Sequence, residues 1–149
     1  MKLEKWALIA EIVGSFAIVA TLIVLIVESR GNTEAIRAST YQAVVDSITT
    51  PLDMRAADSE MARIWNSGMS GEELSENDQI RFRAMLLAAV RRFENAFYQY
   101  QLGTIDERQW EVLKSQVQNV ITTPGSRDWW QQNRERFSPD FRRDLELAE

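Results

Sequence analysis

The sequence predicts an all-α protein in which one N-terminal transmembrane helix continues into a helical-bundle soluble domain. Three observations carry this. Residues 6–27, WALIAEIVGSFAIVATLIVLIV, form one long apolar run. Beyond it, apolar residues recur at helical spacing between recognisable start and stop signals. No strand-like alternation and no internal repeat breaks that pattern. The expected division is an anchor at residues 1–30 and an all-helical soluble domain at 31–149, a length that fits one domain plus its anchor.

The apolar run, at ~1.5 Å of rise per residue, reaches about 33 Å and so spans a hydrocarbon core of ~30 Å. Lys2, Lys5 and Trp6 supply a snorkelling and aromatic anchor at one interface, and Glu28, Ser29 and Arg30 mark the other. A cleaved signal peptide would have a shorter apolar region, ~7–15 residues, followed by a small-x-small site. Val27-Glu28-Ser29-Arg30 is a poor site of that kind, so the anchor is expected to be retained. Lys2, Lys5 and the amino terminus face Arg30 and Arg37 across the span. This near balance leaves the side of the soluble domain open, the count leaning toward an inside amino terminus.

Within the run, Ala7, Ala10, Gly14, Ala17 and Thr21 follow a 3-4-3-4 spacing that places small side chains along one stripe. In lipid, close backbone approach along small residues is a main route to helix association, so this stripe is the candidate packing surface. Glu11 borders it. A carboxyl group at that depth is costly unless protonated, paired or wet. It can reach the interface, bond Ser15 one turn on, or sit in a ring at a helix–helix interface or pore.

The first helix is expected to run from about Leu3 to Thr49, with Ile36, Tyr41, Val44, Val45, Ile48 and Leu52 at helical spacing and no proline at Gly31-Asn32. Thr50-Pro51 reads as an N-cap with proline at the first position of a second helix ending near Asn66-Ser67-Gly68. Ser75-Glu-Asn-Asp78 resembles a capping box and opens a long helix with Ile80, Leu86, Leu87, Val90, Phe93, Phe97 and Tyr100 inward. Gly103 is its expected C-cap. A fourth helix spans about 106–121 with Trp110, Leu113, Val117 and Val120 or Ile121 inward. Thr123-Pro-Gly-Ser126 is a break, a short Trp129-Trp130 helix follows, and Ser138-Pro139 caps the last one.

The stretch Glu28-Ser-Arg-Gly-Asn-Thr-Glu-Ala-Ile-Arg-Ala-Ser-Thr-Tyr-Gln42 resembles a widespread, uncharacterised group of small bacterial single-span membrane proteins. They share a juxtamembrane Arg-x-Asn-Thr-x-Ala-x-Arg-Ala-x-x-Tyr-Gln pattern. Further similarity falls at Trp65, Phe93-Glu94-Asn95, Tyr98, Gly103, Trp110, Pro124-Gly125, Trp129-Trp130 and Phe137-Ser-Pro-x-Phe141. Glu28 stands where the pattern usually has glutamine. The resemblance implies an anchored helical architecture in a bacterial inner (cytoplasmic) membrane and carries no function over to this chain.

Composition argues against most chemistries. The chain has no cysteine and no histidine. That removes thiolate nucleophiles, disulfides, Cys-based zinc sites, the usual general base near neutral pH and the commonest metal ligand. No metal and no cofactor is expected. Lys114-Ser115 do not make a Ser–Lys pair, because neighbours on a helix point in different directions. The net charge is −5, from 17 Lys/Arg against 22 Asp/Glu, and the basic pairs Arg91-Arg92 and Arg142-Arg143 are flanked by acids. Nucleic-acid binding needs a basic stripe, so none is expected.

Two polar groups remain. Arg30, Asn32, Thr33 and Arg37 lie just outside the span, where they could meet lipid phosphates or a partner or form an ordinary solvated helix. Arg91, Glu94, Asn95 and Tyr98 lie within two turns of the long helix and read either as a buried network fixing helix register or as a polar ligand site. The aromatic residues Phe93, Phe97, Tyr100, Trp110, Trp129 and Trp130 read as core. The expected role is that of a non-enzymatic membrane-anchored protein, partnered by the lipid bilayer, that self-associates or serves as an accessory or scaffold subunit. The alternative is a homo-oligomeric channel or transport element whose N-terminal helices line the pore.

Overall fold

The computed structural model describes the backbone of residues 2–146 and their side chains apart from those of 2–5, 7–10 and 12. Among the described residues there is no strand. The helices are α1 (Lys2–Ala57), α2 (Ser59–Ser70), α3 (Glu76–Gln101), α4 (Glu107–Ile121), α5 (Arg127–Asn133) and α6 (Pro139–Glu146), with a 3₁₀ turn at Arg134–Arg136. The chain divides into two compact units, Met1–Ala38 and Ser39–Glu149. The second begins within α1, at Ser39.

In the first unit the helix is long and apolar enough to cross a membrane, and none of its most apolar window is buried. Gly31 and Asn32 do not interrupt it. Hydroxyls are satisfied within the helix: Ser15 Oγ donates to the Glu11 carbonyl (2.8 Å) and Thr21 Oγ1 to the Ala17 carbonyl (2.9 Å). A span in lipid needs such internal pairing, because no water is present to accept these protons.

In the second unit α3 packs against both α2 and α4. Its buried residues are Phe82, Leu86, Val90, Phe93, Ala96 and Phe97. Trp110, Leu113, Val117 and Ile121 of α4 face them, as their 3-4-4 spacing requires. The C-terminal segment closes an aromatic cluster. Phe141 lies 5.7 Å from Phe97 and 6.3 Å from Trp110 between ring centroids, and Phe137 lies 5.4 Å from Trp130. Trp110 Nε1 donates to Asp144 (2.9 Å), so the one polar atom of that buried indole is paired.

Four local expectations are corrected. Pro51 does not open a helix; α1 continues through it to Ala57. Ile48, one turn earlier, packs against the core of the second unit and Pro51 is half-buried, so tertiary packing outweighs the proline defect. Hydroxyls of Ser47 and Thr50 donate to the Val44 and Asp46 carbonyls in the turn the proline disturbs. The break comes instead at Asp58, whose carboxylate accepts from the main-chain N–H groups of Glu60 (2.9 Å) and Met61 (3.1 Å).

The second correction concerns capping. Ser75 does cap α3, accepting from Asp78 N, but the reciprocal capping box lies at Asp106 and Gln109, with both bonds at 2.8 Å. The third concerns Ile80, which is 62% exposed, its expected inward place being taken by Phe82 at 4%. The fourth is small. Leu102 is the C-cap of α3, and Gly103 follows it at φ +70°, a conformation that favours glycine.

Asp78 is occupied by Arg63 of α2, at 2.9 Å. That hydrogen bond, more than the Ser75 hydroxyl and the Arg63 and Arg81 charges, holds its carboxyl below the usual range against an opposing effect of burial. A depressed folded pKa gives stability that is complete above the unfolded value of ~3.9 and lost as pH falls through the folded value. The stability difference between wild type and Asp78→Asn is therefore expected to be constant from pH 7 to about 4 and to shrink below that. Thermal melts across pH would read it; a gap unchanged at pH 3 would exclude the pairing.

Candidate functional site

The first set of candidate residues lies on α1. Gly14, Ala17 and Thr21 are exposed, and an added Cβ at Gly14 would meet nothing within 4 Å. Nothing inside the described chain therefore requires a glycine there. The side chains of Ala7 and Ala10 lie outside the described residues. Glu11 is exposed; Ser15 bonds its main-chain carbonyl, not its carboxylate, which makes no hydrogen bond among the described residues. Arg30, Asn32, Thr33 and Arg37 are all exposed, and the Thr33 hydroxyl is returned to the Ser29 carbonyl at 2.9 Å.

The second set is brought together differently from the buried network expected. Arg91, Asn95 and Tyr98 are exposed and only Glu94 is half-buried. Arg91 pairs with Glu94 (2.5 Å), donates to the Arg136 carbonyl (2.7 Å) and lies over the Phe137 ring at 4.7 Å. Glu94 Oε1 accepts from Ser138 N (2.7 Å). This half of the cluster ties the segment before α6 to α3. Asn95 and Tyr98 make no side-chain hydrogen bond among the described residues and line a cleft of 380 Å³ with Gln101 and Asp140. An exposed ion pair of this kind is worth little on its own; the main-chain bonds and the ring contact give it positional value.

No known protein family, curated protein or solved structure matches the chain. The remaining features come from the geometry alone.

Two cavities escaped sequence reasoning. The larger, 790 Å³, lies where α2, α3 and α5 meet and is lined by Phe82, Leu87 and Trp129 together with Glu72, Arg83, Asp128 and Arg136. Gly68 and Gly125 also line it, at a backbone crossing where Gly125 N donates to the Met69 carbonyl at 3.1 Å. The smaller, 150 Å³, is bounded by Ile48, Leu52, Trp65, Phe93 and Val120, with Arg55 and Arg92 among its lining residues. The Arg55 guanidinium stacks on Trp65 at 4.2 Å from the ring centroid. Among the described residues no group of three or more acids lies close enough to hold a metal ion. The smaller cavity joins residues far apart in the chain, and no local motif announces it.

Proposed function

We propose that the chain is a non-enzymatic, membrane-anchored helical protein that self-associates through its N-terminal helix, or serves as a scaffold subunit of a membrane complex. Its place, by the resemblance of its juxtamembrane pattern, is the bacterial inner membrane. The observation that carries this reading is the exposure of the α1 surface. The large apolar side chains between residues 13 and 27 are 53–72% exposed. At ~25 cal/mol per Å² of apolar surface, such a face is untenable in water and favourable in lipid. Gly14 supports the self-association part, since a mid-helix glycine costs roughly 1 kcal/mol of helix propensity and nothing among the described residues requires it.

Gly14→Leu is expected to weaken self-association about tenfold or more, shifting detergent- or nanodisc-embedded protein toward monomer in mass photometry. Leu25→Ala, outside the stripe, should leave the distribution in place. A wild type that is already monomeric would leave the anchor as an anchor only. Glu11, a carboxylate in an apolar run without a described partner, favours the channel as the second reading. Glu11→Gln separates the two. A scaffold keeps its oligomer and shows no conductance with either side chain, whereas a pore keeps its oligomer and changes ion selectivity in bilayer recordings.

A further inference from the structure

The 790 Å³ cavity where α2, α3 and α5 meet offers a ligand a mostly polar surface. Six exposed side chains with planar polar heads line it: Glu72, Gln79, Arg83, Asp128, Gln132 and Arg136. The first five make no side-chain hydrogen bond or ion pair among the described residues, and Arg136 has only Asn133 Oδ1, at 3.3 Å. Elsewhere in the second unit Arg63, Arg81, Arg91 and Arg142 each pair with a carboxylate. A solvated charge without a partner costs little, so the lack of pairing alone decides nothing. What decides is convergence. Two carboxylates that only accept, two guanidinium groups that only donate and two amides that do both line one concavity. The two acids and two arginines cancel, so this lining has no net charge.

From this arrangement we infer that the cavity is a binding site for an uncharged oligosaccharide. Every sugar hydroxyl both donates and accepts, so it satisfies the arginines and the carboxylates of the lining alike. A phosphate would be repelled by Glu72 and Asp128, and a polyamine by Arg83 and Arg136. A peptide also carries donors and acceptors, but its recognition relies on a sheet edge, an apolar groove for its side chains or an arginine cluster. Among the described residues there is no strand, and the aromatic residues lining the cavity face the core: Phe82 is 4% and Trp129 9% exposed. A side-chain anchor therefore finds no apolar pocket here. Size agrees: a cavity of about 150 Å³ holds benzene, so 790 Å³ leaves room for more than one pyranose ring. Every residue involved belongs to the second unit, so the site does not depend on whether α1 self-associates.

The test uses the full-length protein in nanodiscs of zwitterionic lipid, free of sugar detergents, with binding read by ligand-observed NMR. The probes are maltotriose, cellotriose and tri-N-acetylchitotriose, which differ in linkage and in the group at the second ring carbon. At least one is expected to bind with a Kd on the order of 1 mM, since a hydroxyl that leaves water gains only a modest net return. Arg83→Gln and Asp128→Asn should each weaken that binding about tenfold. Neither side chain is bonded among the described residues, so both variants should keep the wild-type Tm, which loss of a structural contact would lower. Arg108→Gln, exposed on α4 and outside the cavity, should bind as wild type does. Ala84→Trp, which fills the cavity from an exposed position on α3, should abolish binding while the protein stays folded. No binding of any of the three sugars at about 10 mM, wild-type affinity in both charge variants, or retained binding in Ala84→Trp would each overturn the proposal. So would tighter binding of tetra-alanine than of every sugar, which would give the groove to a peptide.

Discussion

Gly125→Ala is expected to lower the unfolding free energy by about 3 kcal/mol and the Tm by roughly 10 °C. Gly125 has no positive φ, so the requirement for glycine there is one of space, not of dihedral angle. A Cβ at this position would sit 1.6 Å from the Gly68 carbonyl oxygen and 2.8 Å from its carbon. Both are backbone atoms, so no side chain can swing aside. The Gly68 carbonyl also accepts from Gly71 N, and Gly125 N donates to Met69. Opening the crossing far enough to admit a methyl group therefore strains bonds on both chain segments. Gly103→Ala is the graded control: its φ of +70° strains an alanine, but a Cβ there meets nothing, and the loss should stay near 1–2 kcal/mol. Thermal unfolding of the full-length protein measures both. A Gly125→Ala melting point within 2 °C of wild type would mean that α2 and the 124–125 turn do not cross at this distance.

Helix periodicity made most of the second unit legible before any coordinates. Trp110, Leu113, Val117 and Ile121 are buried where their spacing placed them. Two of the misreadings share one physical cause, which is that a local signal points one way and a distant contact decides. Thr50-Pro51 has the look of a helix start, yet Ile48 packs on the core of the second unit and α1 runs on to Ala57. Ser75 and Asp78 have capping-box spacing, but Asp78 is drawn to Arg63, fifteen residues back. Ile80 was different, because the pattern was available and misread. Phe82, Leu86, Val90, Phe93 and Phe97 follow a 4-4-3-4 spacing, and Ile80 lies about 200° from Phe82 at ~100° per residue, on the opposite face. For the candidate sites, the stripe on α1 could be read because it is periodic. The cavity beside Trp65 and Phe93 could not, since it draws on four helices, α1 to α4, and no spacing rule links them.

Phe141→Ala is expected to cost about 3–5 kcal/mol, a large share of the 5–15 kcal/mol typical of a domain of this size. Phe141 is fully buried, and its ring lies among those of Phe97, Trp110 and Phe137. It belongs to α6, whose eight residues are too few to form a stable helix alone, so α6 exists because its buried face is packed. If α6 were a lid over a finished core, losing Phe141 would release it locally and the remainder would melt as before. The contacts argue otherwise. Phe141 touches the same two rings that join α3 to α4, and α6 also supplies Asp144 to the Trp110 indole N–H and the Leu145 carbonyl to Gln118 at 2.9 Å. Releasing α6 would thus leave a cavity between α3 and α4 and unpair the indole of a residue that is 1% exposed. The loss should accordingly be global: one cooperative transition at lower temperature, with near-UV signals of the tryptophans moving together. Leu145→Ala, at the outer end of the same face and 5% exposed, should give a smaller shift of about 2–3 kcal/mol in the same single transition. Two separate transitions in Phe141→Ala, with α6 lost first to limited proteolysis and the rest melting near the wild-type temperature, would show that the C-terminal helix is an appendage to the core.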